Sequence, residues 1–388
     1  MGVHGLTGIL SRYAPNAVRS ISCNVLATQT IAIDASCHLN KFVYGDETHP
    51  HRHIYGFYQL ARFCDLNKIK PIFVFDGPRR LEAKDFENAK RERTRHKVKH
   101  SLLFEKEQSI RLGNWMEVSD AYHQTDLSRQ STMSILSELG EALEDIDEYP
   151  MSHISDQKQH EIEAKLAQIA QELKVAIIIA ENTDKYTKTV RDLANRERDV
   201  MADMVIHRFK GIKPALQQLK KDNQAMLHSL EKRSYRITQL TRDECQAFLK
   251  TMGYVCLTCD SHEAEAMCAH LSKSKRTTAT VSEDLDTLVF GDAPILRYFF
   301  SRARPILSID PILARKELGL TRESFVDFCI LCGTDFSGTI RGIGPIRALK
   351  AIQDHGNIET LLAHLDSKYK PQETFNYKLA RQVSQLYE

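Results

Sequence analysis

Apolar positions along the 388-residue chain fall into three regimes. Up to about Gly77, short runs that are apolar on both faces alternate with amphipathic stretches. IAID (31–34) and PIFVFD (71–76) each end in an acid, as buried parallel strands do when their C-terminal ends carry a site. Between them, Tyr55 to Asn67 has helical spacing, which makes a strand, helix, strand unit. The same alternation returns late, with strand patterns at TTATVSED (277–284), ILRY (295–298) and ILSID (306–310), and helix patterns at Ala264 to Leu271 and Ser324 to Leu331. An α/β fold with a central, mostly parallel sheet is expected. The middle differs. Residues 105–235 hold three Gly and two Pro, and Ile162, Leu166, Ile169 and Leu173 are spaced four, three and four apart. This reads as a large helical insertion, far longer than an ordinary loop. No repeat with a fixed period is present.

Composition narrows the class without naming a chemistry. With 42% hydrophobic and 27% charged residues the chain is globular in type,. No uncharged apolar run approaches the roughly 18 residues a membrane span needs. The opening MGVHGLTGIL has no charged region followed by an apolar block, and Leu6 stands where a myristoylation signal has Ser or Thr. A soluble intracellular protein is expected. The net charge of +2 announces no polyanionic partner, so charge matters only locally. Residues 79–99 carry nine Lys/Arg against four acids, and Glu138 to Glu148 carries six acids with no Lys or Arg, a solvated face,. The 9 Cys imply reduced thiols,. The pairs Cys256/Cys259 and Cys329/Cys332 sit inside apolar runs and read as buried free cysteine rather than zinc ligands. His49, His51 and His53 read as a solvated polar loop, and Trp115 as a packing residue.

The chemical signal is a set of acids at the ends of elements. Asp34 and Asp76 close strands and belong on one edge of a parallel sheet. Asp284 and Asp286 follow a strand, and their spacing puts both on one face while the chain stays extended. Glu263 and Glu265 open a helix for which Ser261 is the expected N-cap; their spacing of two gives about 200° of rotation on a helix, so they meet at one ion only if the first turn points end-on at it. Asp335 opens a loop after a helix. Carboxylates without soft ligands select hard divalent ions such as Mg²⁺ or Mn²⁺. They also demand cations, because like charges in one cleft raise one another's pKa.

MGVHGL, IAIDAS, FVFDGP, DSHEAEA, VSEDLDTLVFG, LCGTDF and RGIGPIRALKAI, in that order, resemble the flap endonuclease and xeroderma pigmentosum group G superfamily of structure-specific 5′ nucleases. The resemblance covers about residues 1–100 and 236–365. It implies a PIN-like 5′-nuclease core and a Mg²⁺-dependent phosphodiesterase with two ions, for which Mn²⁺ substitutes. The metal ligands would be Asp34, Asp76, Glu263, Glu265, Asp284, Asp286 and Asp335, all seven present. The basic stretch after Asp76 matches the family's gateway and arch, with Lys84 and Arg91, seven apart and so close to one helix face, matching the pair that contacts the scissile phosphate. RGIGPIRALKAI (341–352) reads as helix, Gly-x-Gly hairpin, helix, a motif that holds duplex DNA with a K⁺ ion. Further DNA contacts would come from Gly2, Arg79, Arg80, Arg93, Arg95, Gly342, Gly344, Arg347 and Lys350, with Lys97 adding to the basic run.

The expected organisation is a nuclease half at 1–104, the helical insertion at 105–235, a second nuclease half at 236–335 and a helix-hairpin-helix region with tail at 336–388. The expected function is hydrolysis of branched or 5′-ended DNA, as a flap endonuclease or a 5′→3′ exonuclease, in repair or replication. The alternative is a non-catalytic nucleic-acid-binding or regulatory protein that keeps the fold. Asn40 stands where flap cutters of the family place a base-stacking Tyr. No clamp-binding motif is seen, the insertion offers a surface for a protein partner, and the expected location is the nucleus, with the mitochondrion as alternative.

Overall fold

The computed structural model describes residues 2–78, 84–122, 127–140, 156–181, 186–206, 213–259, 263–301 and 303–385. Two compact units emerge, Met1–Lys90 together with Ile237–Glu388, and Arg91–Arg236.

The first unit is built on a seven-stranded sheet. Its strands are β1 (Val18–Ile21), β2 (Thr30–Asp34), β3 (Lys70–Asp76), β4 (Val255–Cys259), β5 (Thr280–Val281), β6 (Ile295–Arg297) and β7 (Ile306–Ile309), in the order β1-β7-β6-β5-β2-β3-β4. Strands β6, β5, β2, β3 and β4 run parallel, and β7 is antiparallel to both β6 and β1. The sheet is therefore mostly parallel, as expected. Alternate residues of the central strands serve opposite faces. Ile31, Ile33, Phe73 and Phe75 pack with helices Ala35–Tyr44, Arg52–Leu66 and Gln239–Thr251, through Leu39, Phe57, Leu60 and Leu249. Ala32 and Val74 pack on the other face with Ala264, Cys268 and Leu271 of helix Ala264–Lys273. Burial on both faces explains why these strands read as continuous apolar runs. A third cluster holds the C-terminal helices around Phe325, Phe328 and Leu349.

Connectivity places a crevice. From β2 the chain moves outward through β3 to β4, and from β5 it moves the other way to β6. The order reverses between β2 and β5, where the loops leaving two parallel strands part at their carboxyl ends. Asp34 ends β2, and Asp284 follows β5 by three residues.

The second unit is helical. It contains most of helix Asp85–Tyr122 together with Arg129–Glu138, Asp156–Glu181, Lys188–Ile206 and Lys213–Ser234. Leu166, Ile169 and Leu173 are buried in its own core and Ile162 packs against it, so the stripe seen in the sequence is covered within the unit. Trp115 is fully buried there. Glu138 pairs with Lys174 at 2.9 Å, while residues 141–148 of the acidic block lie outside the described residues. All nine cysteines are free. His53 is a buried helix residue beside Glu244 rather than part of a loop. Among the described residues no helix is long and apolar enough to cross a membrane.

Candidate active site

Asp34 is reached by an apolar strand and immediately caps a helix. One carboxylate oxygen accepts the Cys37 N–H at 2.8 Å and the other accepts the Ser282 hydroxyl at 2.8 Å. The side chain is fully buried. Burial first, and the charge of Asp76 second, push its pKa up to about 7, while the two donors pull it down. Asp76 ends the neighbouring parallel strand, with Asp34 paired in register to Val74. Its Oδ1 accepts the Ala264 N–H at 2.8 Å. That N–H is one of the unsatisfied donors of the first turn of helix Ala264–Lys273, so Asp76 fills the capping role. Glu263 occupies the N-cap position of this helix and makes no side-chain cap, and Glu265 lies in the first turn. The end-on arrangement thus brings both glutamates to the crevice. Ser261, the expected cap, lies outside the described residues.

Asp284 and Asp286 depart from the extended geometry expected of them. β5 is only Thr280–Val281, and Asp286 is helical at φ −60, ψ −26. The Ser282 hydroxyl takes the Asp284 N–H at 3.0 Å, and Asp284 Oδ1 takes the Asp286 N–H at 3.1 Å, so side-chain acceptors replace the ladder and the chain turns,. Gly2, at φ +78, rests on this turn. A Cβ there would collide with Asp284 Oδ1 and stand 2.6 Å from the Asp286 nitrogen.

The seven carboxylates act on one another. Burial and then the charge of Asp34 hold Glu265 well above the carboxylate range, and burial and then Asp284 do the same to Asp286, with Asp335 adding to it. Glu263 and Asp284 are raised chiefly by burial. Both carboxylate oxygens of Asp286 are buried with no hydrogen-bond partner among the described residues. Two buried anionic oxygens without a donor fit a cation, and an all-oxygen donor set suits a hard divalent one. Among the described residues no three His, Cys, Asp or Glu side chains form a ready-made ligand set.

Among the described residues, Lys84 brings a cation to the crevice. Its Nζ is 2.7 Å from Glu263 Oε1 and 4.8 Å from the centre of the Phe336 ring. Burial pulls its pKa down, yet the charges of Glu263, Glu265 and Asp335 more than reverse this and leave it raised. Lys84 stands in a 3-10 turn directly before helix Asp85–Tyr122, and Arg91 lies on that helix. Arg91 is exposed and belongs to the second unit. Arg93 and Lys97 are exposed, Arg95 pairs with Glu92 at 2.8 Å, and Arg79 and Arg80 lie outside the described residues. In the segment 341–352 the first element is not a helix. Ile340–Arg341 is a short strand paired with Lys370–Pro371, the preceding helix is Arg322–Cys332 and the following one is Pro345–His355. Gly342 is left-handed at φ +89, with its carbonyl taken by Arg347 at 2.6 Å. Gly344 has open space where a Cβ would go, and Lys350 is exposed. Sequence reasoning passed over Ser282 and Phe336. Their signal was position alone, since Ser282 stands two residues before Asp284 and Phe336 directly follows Asp335.

Two stretches match known families. The family model for the XPG N-terminal domain matches residues 1–98 and that for the XPG I-region matches residues 258–335. Flap endonuclease 1 of Caenorhabditis elegans is 42% identical over 157 residues, 39% of this chain and 41% of its own. Flap endonuclease 1-A of Physcomitrium patens is 36% identical over 200 residues, 50% and 48% of the two chains. The chain thus spans about half the length of the curated relatives it matches. A solved structure of the catalytic core of Rad2 in complex with DNA substrate is 17% identical, with a TM-score of 0.49 over 100% of this chain and 79% of that one. The two matched blocks contain all seven carboxylates and flank the insertion in chain order, so the chain is similar to the flap endonuclease and xeroderma pigmentosum group G superfamily in the parts that carry the acids.

Proposed function

We propose that the protein is a metal-dependent, structure-specific 5′ nuclease that hydrolyses DNA phosphodiester bonds in repair or replication. Asp286 carries this reading: a carboxylate with two buried, donorless oxygens at a sheet switch point is costly unless a cation is to be held there,. Asp34, Asp76, Glu263, Glu265, Asp284, Asp286 and Asp335 would hold two Mg²⁺ ions, with Mn²⁺ as a substitute. Such ions, when bound, activate a water and stabilise the leaving oxygen.

The remaining work falls to the chain. Ser282 and the Cys37 amide fix the rotamer of Asp34, and the helix Ala264–Lys273 amide fixes Asp76, so the donor oxygens are oriented before any ligand arrives,. Lys84, kept protonated by the surrounding carboxylates, lowers the negative potential that an incoming phosphate must meet,. Released from Glu263 it would face the reacting phosphate as an electrostatic stabiliser, a role shared with Arg91. Gly342 and Gly344 would admit a duplex phosphate to the backbone, with Arg347 and Lys350 beside it and a K⁺ ion at the turn. Asn40 folds its amide back onto the Ser36 carbonyl at 2.8 Å and offers no base-stacking ring. Branched and 5′-ended DNAs therefore both belong in the test. Purified protein is assayed under single-turnover conditions on flap, nicked, bubble and four-way-junction DNAs, with Mg²⁺ and with a chelator. Cleavage near 5′ branch points that needs the metal is expected. Specific binding of these DNAs with no cleavage in either Mg²⁺ or Mn²⁺ would assign the fold to a regulatory binding protein instead.

A further inference from the structure

The helical unit Arg91–Arg236 has a polar centre inside an apolar core. Glu105, Gln108 and Arg111 lie on helix Asp85–Tyr122, Glu197 on Lys188–Ile206 and Asn223 on Lys213–Ser234, and all are at most 4% exposed. The Arg111 guanidinium holds Glu197 with two bonds, Nε to Oε1 at 3.1 Å and Nη2 to Oε2 at 3.0 Å. Gln108 donates to the same Glu197 Oε2 at 2.9 Å. Asn223 donates to Glu105 Oε2 at 2.8 Å and to Gln108 Oε1 at 3.1 Å. Glu105 Oε1 and Asn223 Oδ1 have no partner among the described residues.

Counting charge decides what this centre can be. It holds two carboxyls and one guanidinium, and the guanidinium is committed bidentately to Glu197. A charge on Glu105 would be unmatched in a dry interior, where an isolated anion is far more costly than a neutral carboxyl. Only one of its oxygens has a donor. We propose that Glu105 carries a proton in the folded insertion, and that losing it loosens the packing of helix Asp85–Tyr122 against Lys188–Ile206 and Lys213–Ser234, which makes the insertion a pH-responsive element. Burial, with a smaller push from Glu197, raises the Glu105 pKa to about 7 against the pull of Asn223 and Arg111. The sign follows. A carboxyl whose folded pKa lies above its unfolded value adds stability at low pH, and that stability is lost as pH rises through the folded value. Glu163 in the same unit works oppositely. Burial raises it, but the Ser128, Ser131 and Gln159 donors leave it net lowered, so its contribution changes only below the ordinary carboxylate range.

Trp115 is the only tryptophan of the chain and is fully buried in this core, so its fluorescence reports the unit from within the intact protein. The test is urea unfolding of the full chain, read by Trp115, for the unaltered protein and for Glu105→Gln. Between about pH 5.5 and about pH 8 the unaltered protein should lose stability relative to the variant by on the order of 10- to 100-fold in its unfolding equilibrium constant. Parallel loss in both proteins would overturn the proposal. Glu105→Met removes the ionisable group in a second way and should give the same flattened profile. If neither neutral replacement folds at the lower pH, the proposal also fails, because a side chain already uncharged there cannot require its charge.

Discussion

A carboxylate oxygen sealed from water without a donor costs several kcal/mol, on the order of 2–7 for an unpaired polar group, if it has to stay in place. Asp286 has two such oxygens and Asp284 and Asp335 as like-charged neighbours. Asp286→Asn should therefore raise the thermal midpoint of the metal-free protein by a few degrees, about 1 kcal/mol, while lowering single-turnover cleavage by roughly 10² or more. A scan with chelator present, set beside the rate with Mg²⁺, checks both halves. Gly2→Ala works through shape. It needs a left-handed backbone and a Cβ in space held by the Asp284–Asp286 turn, so cleavage should fall at least about tenfold with the helix content by circular dichroism unchanged,. Lys84→Ala removes the cation 2.7 Å from Glu263. The rate on bound DNA should drop by roughly 10² with affinity nearly kept, because a charge near the reacting phosphate acts mainly in the transition state. A loss confined to affinity, measured by anisotropy, would reduce Lys84 to a backbone contact.

Elements show where pattern carries information and where it stops. The glycines at 342 and 344 are separable by their surroundings. A Cβ at Gly342 meets the Tyr369 ring at 3.1 Å in a left-handed backbone, whereas one at Gly344 meets nothing. Gly344→Val should leave the thermal midpoint in place and weaken duplex binding, and Gly342→Ala should lower the midpoint as well, by roughly 1–2 kcal/mol. Paired melting and binding curves distinguish them. β2 and β3 were readable because burial on both faces demands apolar runs, and the acid that ends each run marks the sheet edge. β4 is hidden in a run noted for its cysteines, and β5 stops short of the expected 284 because the Asp284 N–H bonds to the Ser282 hydroxyl and the Asp286 N–H to the Asp284 carboxylate, which hydropathy does not record. The acids are read from their places at the ends of elements; the donors that orient Asp34 and Asp76 are visible only in the fold.

At the scale of the whole molecule the helical unit is contiguous in sequence and the sheet-bearing unit is not. The insertion has its own core around Leu112, Trp115, Leu166 and Leu219, so residues 91–236 expressed alone should unfold cooperatively with Trp115 emission shifting from buried to exposed,. A non-cooperative drift would mean that the unit depends on the rest of the chain. The hydrogen bond from Ala264 to Asp76 spans 188 residues, and β3 pairs with β4 across a slightly shorter interval, Asp76 opposite Cys259. During synthesis, then, β2 and β3 emerge and wait with an open edge until the whole insertion has passed the ribosome. The insertion, rich in local helical contacts, is the faster folder, and by folding first it shortens the effective chain that must close. A side chain outside the candidate site thereby governs how much protein is made: Trp115→Ala, which opens a cavity in the insertion's core, should lower soluble yield during translation more than it lowers the activity of the molecules that finish folding.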